Sequence, residues 1–279
     1  MAETIDGKKI SGEILKELKA KVAQIPGNPG LAVILVGDDK SSHLYVSLKE
    51  KACKKAGINF QKFLFPKNTK EQEVINKIKE LNKDPSIHGI LVQIPLPRQI
   101  NENKVIESID PDKDVDGFHP TNLYNLITDD LEDRLIPCVA QGIMKLLEST
   151  QQPWVNKKAV IVSNSQIFAI PIMQLLHREG IYPIRVSADD PYLNFETSRA
   201  DILIVAVGQP NFIKADMVKF GSTIIDIGCN KFDNRTTGDV DFTDMEDHIS
   251  YITPVPGGVG PMTIALLLTN VVAAFARQN

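Results

Sequence analysis

The chain has 279 residues, 43% of them hydrophobic, which is enough length and apolar content for two domains with sizeable cores. A formal net charge of −4, with lysine and arginine spread along the chain, gives neither a nucleic-acid footprint nor a membrane-surface bias. Cys53, Cys138 and Cys229 stand too far apart for metal-ligand spacing or a disulfide framework. With no signal peptide read at the N-terminus, they imply a reducing, cytoplasmic setting. The longest apolar run, residues 264–275, is interrupted by Thr269 and Asn270 and is too short to span a bilayer. No metal, nucleic-acid or membrane partner is expected.

The first half alternates helix and strand. Apolar residues Ile14, Leu15, Leu18 and Val22 give helical spacing over 11–25, stopped by Pro26 and Gly27. The run LAVILVG (31–37) predicts a buried parallel strand. A helix over 41–56 follows, capped by Ser41 or Ser42 and ended by Gly57. INFQKFLFP predicts a second strand, 69–82 a helix with Thr69 as its cap, and GILVQIP a third strand. Residues 101–137 turn irregular and acidic around PDKDVDGFHP, and a short helix over 140–149 comes next. A second α/β rhythm then runs through AVIVSNS, a helix over 171–179, IRVSADD, ADILIVAVG, STIIDIG and SYITPVPGG. The expectation is two α/β domains flanking a cleft, the second Rossmann-like with a mainly parallel sheet. The boundaries are 1–138 and 139–261, with a last helix over 262–279 packing back across the first domain.

Ligands of open α/β sheets bind outside the carboxyl ends of the strands. Four stretches converge there. The first strand feeds a helix carrying Tyr45 and Lys49, four apart and so on one helix face. The third strand ends at Gln93, whose buried amide must find partners or cost roughly 1–3 kcal/mol. KDVDG offers Asp114 and Asp116 in a glycine turn, and PVPGGVGP places Pro256 and Gly257 in a conformationally demanding backbone. Taken singly, a Tyr–Lys pair reads as a snorkelling surface pair, Gln93 as a structural hydrogen-bonder and KDVDG as a turn. Together at strand ends they form a site.

YVSLK after VGDD, GILVQIPLP, PDKDVDGFHP and YITPVPGGVGPMT, in that order, resemble the methylenetetrahydrofolate dehydrogenase/methenyltetrahydrofolate cyclohydrolase family. The resemblance implies a bifunctional enzyme of one-carbon folate metabolism, with a tetrahydrofolate derivative as substrate and NADP as cofactor. It also implies a homodimer formed through the cofactor domain. Lys49 matches the family's catalytic lysine, Tyr45 the tyrosine stacking on folate, and Gln93 the glutamine tuning that lysine. Asp116 matches the carboxylate holding the pterin, and Pro256 and Gly257 match residues lining the folate cleft.

The cofactor half departs from the family. Where a G-R-S-x-x-V-G-x-P turn is usual, residues 163–171 read SNSQIFAIP, leaving Ser163, Asn164 and Ser165 as the candidate phosphate turn. Serine at the first glycine adds a Cβ where backbone must approach phosphate. Asp189 and Asp190 follow the next strand and oppose a 2′-phosphate, which favours NAD or no dinucleotide over NADP. PCTP becomes PCVA at 137–140, and G-I-N becomes Gly228, Cys229, Asn230, making Cys229 a further cofactor-side candidate. Three readings follow: a bifunctional enzyme with a weak or NAD-preferring dehydrogenase, a cyclohydrolase without dinucleotide binding, or a folate-binding paralogue without turnover.

Overall fold

The computed structural model describes residues 2–128, 135–233, 235–245 and 247–279. The chain divides into two compact units, one of Gly12–Cys138 with Ile264–Asn279, the other of Met1–Ser11 with Val139–Thr263.

In the first unit, β2 (Gly30–Val36) lies between β3 (Asn59–Phe65) and β4 (Gly89–Val92), all parallel. Val33 pairs with both Lys62 and Leu91; β2 and β3 end level at Val36 and Phe65, and β4 ends at Val92, opposite Ile34. All of β2 is buried, and its two faces feed two cores. Leu31, Val33 and Leu35 join Val46, Cys53, Leu267, Leu268 and Val271 on one side. Ala32, Ile34 and Val36 join Val74, Ile78 and Leu81 on the other. A strand buried on both faces reads as a continuous apolar run, which is what made it visible in the sequence. Helix α1 (Gly7–Val22), which starts four residues before the expected helix, precedes β2, and the crossovers are α2 (Lys40–Ala56) and α3 (Glu71–Lys83). Their caps differ from expectation. Asp39, not a serine, caps α2 by accepting the Ser42 N–H at 2.7 Å, because its side chain reaches the third residue on. Helix α3 starts after Lys70, whose N–H donates to Glu73 Oε1 at 3.1 Å; Thr69 is buried one residue earlier.

The stretch expected to be irregular contains α4 (Glu102–Glu107), capped by Asn101, and α5 (Pro120–Ile127), capped by the ring of His119. Both are too short to show a clear apolar period. Residues 129–134 of that stretch lie outside the described residues.

The second unit holds a six-stranded parallel sheet in the order β1-β11-β8-β7-β5-β6. Its strands are β1 (Glu3–Thr4), β5 (Lys158–Ser163), β6 (Tyr182–Val186), β7 (Ile202–Ala206), β8 (Thr223–Asp226) and β11 (Tyr251–Ile252). A separate antiparallel ribbon pairs β9 (Asn230–Phe232) with β10 (Arg235–Thr237). The order reverses between β5 and β7, the switch point of a doubly wound sheet. The expected boundary at residue 1 is corrected here. Glu3 and Thr4 pair with Tyr251 and Ile252, so the first eleven residues belong with this unit, not with 12–138. The fold class is α/β, as expected.

Helices α6 (Cys138–Ser149), α7 (Gln166–Arg178) and α8 (Leu193–Thr197) complete the connections. Proline was expected to open α7, but the helix starts five residues before Pro171, capped by Ser165. The proline then removes a single helix bond near the N-terminus. The last helix, α9 (Val259–Gln278), starts three residues earlier than expected. With 20 residues, and a mean hydropathy of 1.9 over an 18-residue window, it is long and apolar enough for a bilayer, unlike the shorter run read from sequence. However, 67% of that window is buried, and Leu267, Leu268 and Val271 belong to a core, so α9 is a core helix.

Candidate active site

The Asp39 cap fixes the start of α2, and one turn in, Tyr45 and Lys49 sit four residues apart. Strand β4 ends at Val92, one residue before Gln93, but the Gln93 N–H continues the ladder by donating to Ile34 O at 2.8 Å. Lys49 Nζ donates to Gln93 Oε1 at 2.8 Å. Gln93 Nε2 donates to the Ile94 carbonyl at 2.8 Å. A lysine offers only donors, so the amide oxygen must face it, and the bond to Ile94 locks the amide in that orientation. The glutamine is half-buried and its oxygen is committed to the lysine.

Asp116 stands within the electrostatic reach of Lys49. Burial lowers the Lys49 pKa, and the Asp116 charge holds it partly up. Burial raises the Asp116 carboxyl to about 6, against the pull of Lys49, with Asp114 pushing the same way as burial. Both groups are thereby brought closer to neutrality than free side chains would be.

Asp114 has a different place. It is 1% exposed and accepts the N–H of His119 (2.7 Å), the N–H of Gly117 (3.2 Å) and Asn122 Nδ2 (3.2 Å). It therefore closes the turn from which Asp116 projects. Gly117 has φ +86°, and a Cβ there would fall 2.5 Å from the Pro137 nitrogen, so glycine is obligatory. Asp114 and Asp116 line one recess with Ile90, Val92, Ile94 and Phe118.

Two residues that sequence reasoning passed over hold this turn. Asn270 of α9, read only as a break in an apolar run, donates through Nδ2 to Val115 O and Ile136 O, both at 2.9 Å. Cys138, read as part of a departed motif, donates its N–H to Asp116 O at 3.2 Å and its thiol to Val115 O at 3.1 Å. Burial, then Asp116, pushes that thiol well above the ordinary cysteine value, so it stays protonated. A buried amide inside an apolar helix was the available signal for Asn270.

Lys49, Gln93, Tyr45 and Asp116 all belong to the first unit, while Pro256 and Gly257 belong to the second. Gly257 has φ +122°, and its carbonyl accepts the Lys8 N–H at 2.8 Å.

On the cofactor side, the turn after β5 leads directly into the N-terminus of α7, where backbone N–H groups favour phosphate. Ser163 is the last residue of β5. The residue is 1% exposed, and its hydroxyl accepts the Ser165 N–H at 3.2 Å, so the added Cβ lies inside the turn and away from solvent. Asn164 Oδ1 accepts the Ala188 N–H (3.0 Å), and Arg185 Nη1 donates to the Ser163 carbonyl (2.8 Å), tying the ends of β5 and β6 together. Asp189 accepts Ser187 Oγ at 2.6 Å and Asp190 accepts the Tyr192 N–H at 2.8 Å. Cys229 is exposed, between β8 and β9. A turn feeding a capped helix at a switch point fits a dinucleotide.

Residues 5–116 match the tetrahydrofolate dehydrogenase/cyclohydrolase catalytic domain, and 137–279 match the NAD(P)-binding domain of the same family. The chain belongs to this family. The bifunctional protein FolD of Nitrosospira multiformis is 47% identical, with 100% of this chain and 97% of that protein covered. The crystal structure of the bifunctional FolD enzyme from Campylobacter jejuni superposes with a TM-score of 0.93 at 42% identity, covering 99% of this chain and 100% of that one. The Trypanosoma brucei dehydrogenase-cyclohydrolase, solved with NADP and an inhibitor, gives 0.93 at 32% identity, covering 99% of this chain and 98% of that one. Membership makes the chain a folate enzyme of one-carbon metabolism with an NAD(P)-binding domain.

Proposed function

We propose that this chain carries both activities of its family, and that Lys49 is the proton-handling residue of the cyclohydrolase step. A dinucleotide held at the turn of Ser163, Asn164 and Ser165 would supply the hydride acceptor for oxidation of 5,10-methylenetetrahydrofolate. The 5,10-methenyl cation that results is attacked by water at its bridging carbon, a proton is lost, and ring opening gives the 10-formyl form. The observation that carries this reading is the 2.8 Å bond from Lys49 Nζ to Gln93 Oε1, beside Asp116.

Water attack on a cation releases a proton, and the group that takes it must be neutral when needed. Burial lowers the Lys49 pKa, which makes a neutral amine accessible at working pH. Gln93 orients that amine without adding charge. A carboxylate in its place would hold the lysine protonated. Asp116, once ionised, accepts N–H donors of the pterin edge, and charge-assisted bonds of this kind are the stronger ones. Tyr45, one turn from Lys49, offers the ring on which folate stacks. Pro256 and Gly257 are assigned to folate binding through their match to the family motif.

Ser163, Asn164 and Ser165 form the phosphate turn, with Cys229 near the cofactor. Asp189 and Asp190 at the end of β6 support a preference for NAD, since a carboxylate there accepts from a ribose 2′-OH and repels a 2′-phosphate. Family resemblance supports a homodimer through the second unit. The free thiols of Cys53, Cys138 and Cys229 are in keeping with the cytoplasm. The test is spectrophotometric: the purified chain should form methenyltetrahydrofolate from the methylene compound with a dinucleotide, and should hydrolyse it without one. Failure of both reactions would leave only folate binding.

A further inference from the structure

Two carboxylates that no motif singled out join the carboxyl ends of three neighbouring strands. Asp239, 0% exposed, accepts the backbone N–H groups of Val207 (2.6 Å), Gly208 (3.0 Å) and Gln209 (2.9 Å), the three residues directly after β7. It also accepts Asn230 Nδ2 at 2.8 Å, at the start of β9. Asp226, the last residue of β8, accepts the N–H groups of Gly228 (2.9 Å), Asp239 (3.1 Å) and Val240 (3.0 Å). Its own N–H donates to Thr253 Oγ1 at 2.8 Å, one residue beyond β11. The chain of bonds therefore runs from the end of β11, through the end of β8, to the loop after β7.

All the bonds these carboxylates accept come from amides, and neither is ion-paired among the described residues. Burial, together with the like charge of Asp239, pushes Asp226 up to about 7. Burying two like carboxylates is a costly way to close loops that apolar packing or a neutral side chain would close with less desolvation. The surrounding sequence makes room for them. A Cβ on Gly238 would fall 1.9 Å from Asp226 Oδ2, and one on Gly228 2.4 Å from Asp239 Cγ.

The place of this network gives it a role. The phosphate turn and the acidic residues of the adenosine side follow β5 and β6, on one flank of the switch point. The loops after β7 and β8 lie on the other flank, so a dinucleotide across the switch point sets its nicotinamide half against them. We propose that Asp239 is a positioning residue for the nicotinamide half of the cofactor, holding the 207–209 and 228–230 loops in their binding conformation. The proposal rests on the dinucleotide binding given under Proposed function. Asp239 is out of reach of the ligand, being fully buried, and acts only through the loops it holds.

The experiment is calorimetric titration of wild type, Asp239→Asn and Asn230→Ala with NAD, NADP and ADP-ribose, which lacks nicotinamide. Replacing one carboxylate oxygen by an NH2 group sets a donor against backbone donors. The affinity of Asp239→Asn for both dinucleotides should fall by about tenfold or more, that for ADP-ribose by less than about threefold. Asn230→Ala, which removes one donor, should show the same selectivity with a smaller loss, and serves if Asp239→Asn does not fold. Equal losses for dinucleotide and ADP-ribose would reduce Asp239 to a structural staple, and no loss for either would also overturn the proposal. A wild type that binds no dinucleotide would instead sink the cofactor reading itself, and this inference with it.

Discussion

The Lys49 ammonium donates to the amide oxygen of Gln93 at 2.8 Å, joining a helix residue and a strand-end residue 44 positions apart. The bond is possible because β2 and β4 are neighbours and the Gln93 N–H is held on Ile34 O. Changing Gln93 to glutamate keeps the size and adds a negative charge beside the lysine. That charge favours the protonated amine, so the Lys49 pKa should rise. The limb of the cyclohydrolase pH profile that reports neutral Lys49 should move to higher pH in Gln93→Glu. An unmoved profile would separate Gln93 from the function of Lys49.

Burial is the chief cause that pushes the Asp116 carboxyl up to about 6. Only the ionised form accepts N–H donors with both oxygens. Folate affinity should therefore be full well above pH 6, about halved near it, and fall further as the carboxyl protonates below it. Asp116→Asn should remove this pH dependence and cost roughly 1.5–3 kcal/mol, about one to two orders of magnitude in affinity. Asp114→Asn should act on the fold instead, since its oxygens are spent on the N–H groups of Gly117 and His119 and on the Asn122 amide of α5. Equilibrium binding at several pH values, beside thermal melts, separates the two. Weakened binding in Asp114→Asn alone would reverse the roles.

Asn270 Nδ2 serves two carbonyls that flank Asp116 in the chain and across the turn. Asn270→Leu replaces the amide with a larger apolar side chain and removes one donor from each carbonyl, a loss of about 0.5–1.5 kcal/mol per bond. We expect a lower midpoint in urea and a reduced cyclohydrolase rate. A variant with unchanged stability would show that the bonds are dispensable.

Asp189 and Asp190 bear on cofactor choice. NAD should bind more tightly than NADP, and the gap should narrow with added salt, because Asp189 is exposed to screening. Trp154, whose Nε1 donates to Leu147 O at 3.2 Å, gives a fluorescence signal for the titration. Tighter NADP binding would show that the two aspartates face away from the ribose.

Much of this was legible in the chain. The continuous apolar run of β2 announced a strand buried on both faces, and the YVSLK, GILVQIP and KDVDG motifs named residues that the fold draws together: Lys49 with Gln93, and Asp116 beside them. Side-chain reach was harder to read. Asp39 displaced two serines as a helix cap, and Ser165 started α7 before a proline that had looked like its beginning. Long-range pairing was illegible, because Glu3 and Thr4 carry no strand signal and become β1 only through Tyr251 and Ile252. Asp226, Asp239 and Asn270 escaped for a related reason. Each is a single polar residue whose partners lie on other segments, and no local pattern marks such a residue.

The central claim is that Lys49 handles the proton of the hydrolytic step, and loss of methenyltetrahydrofolate absorbance tests it most directly. Wild type and Lys49→Met should be compared at neutral pH, each corrected for spontaneous hydrolysis, with folate binding measured in parallel. Removal of a general acid–base group should lower the enzymatic rate by about 10²–10⁴-fold while folate still binds. Equal rates in the two proteins would contradict the assignment.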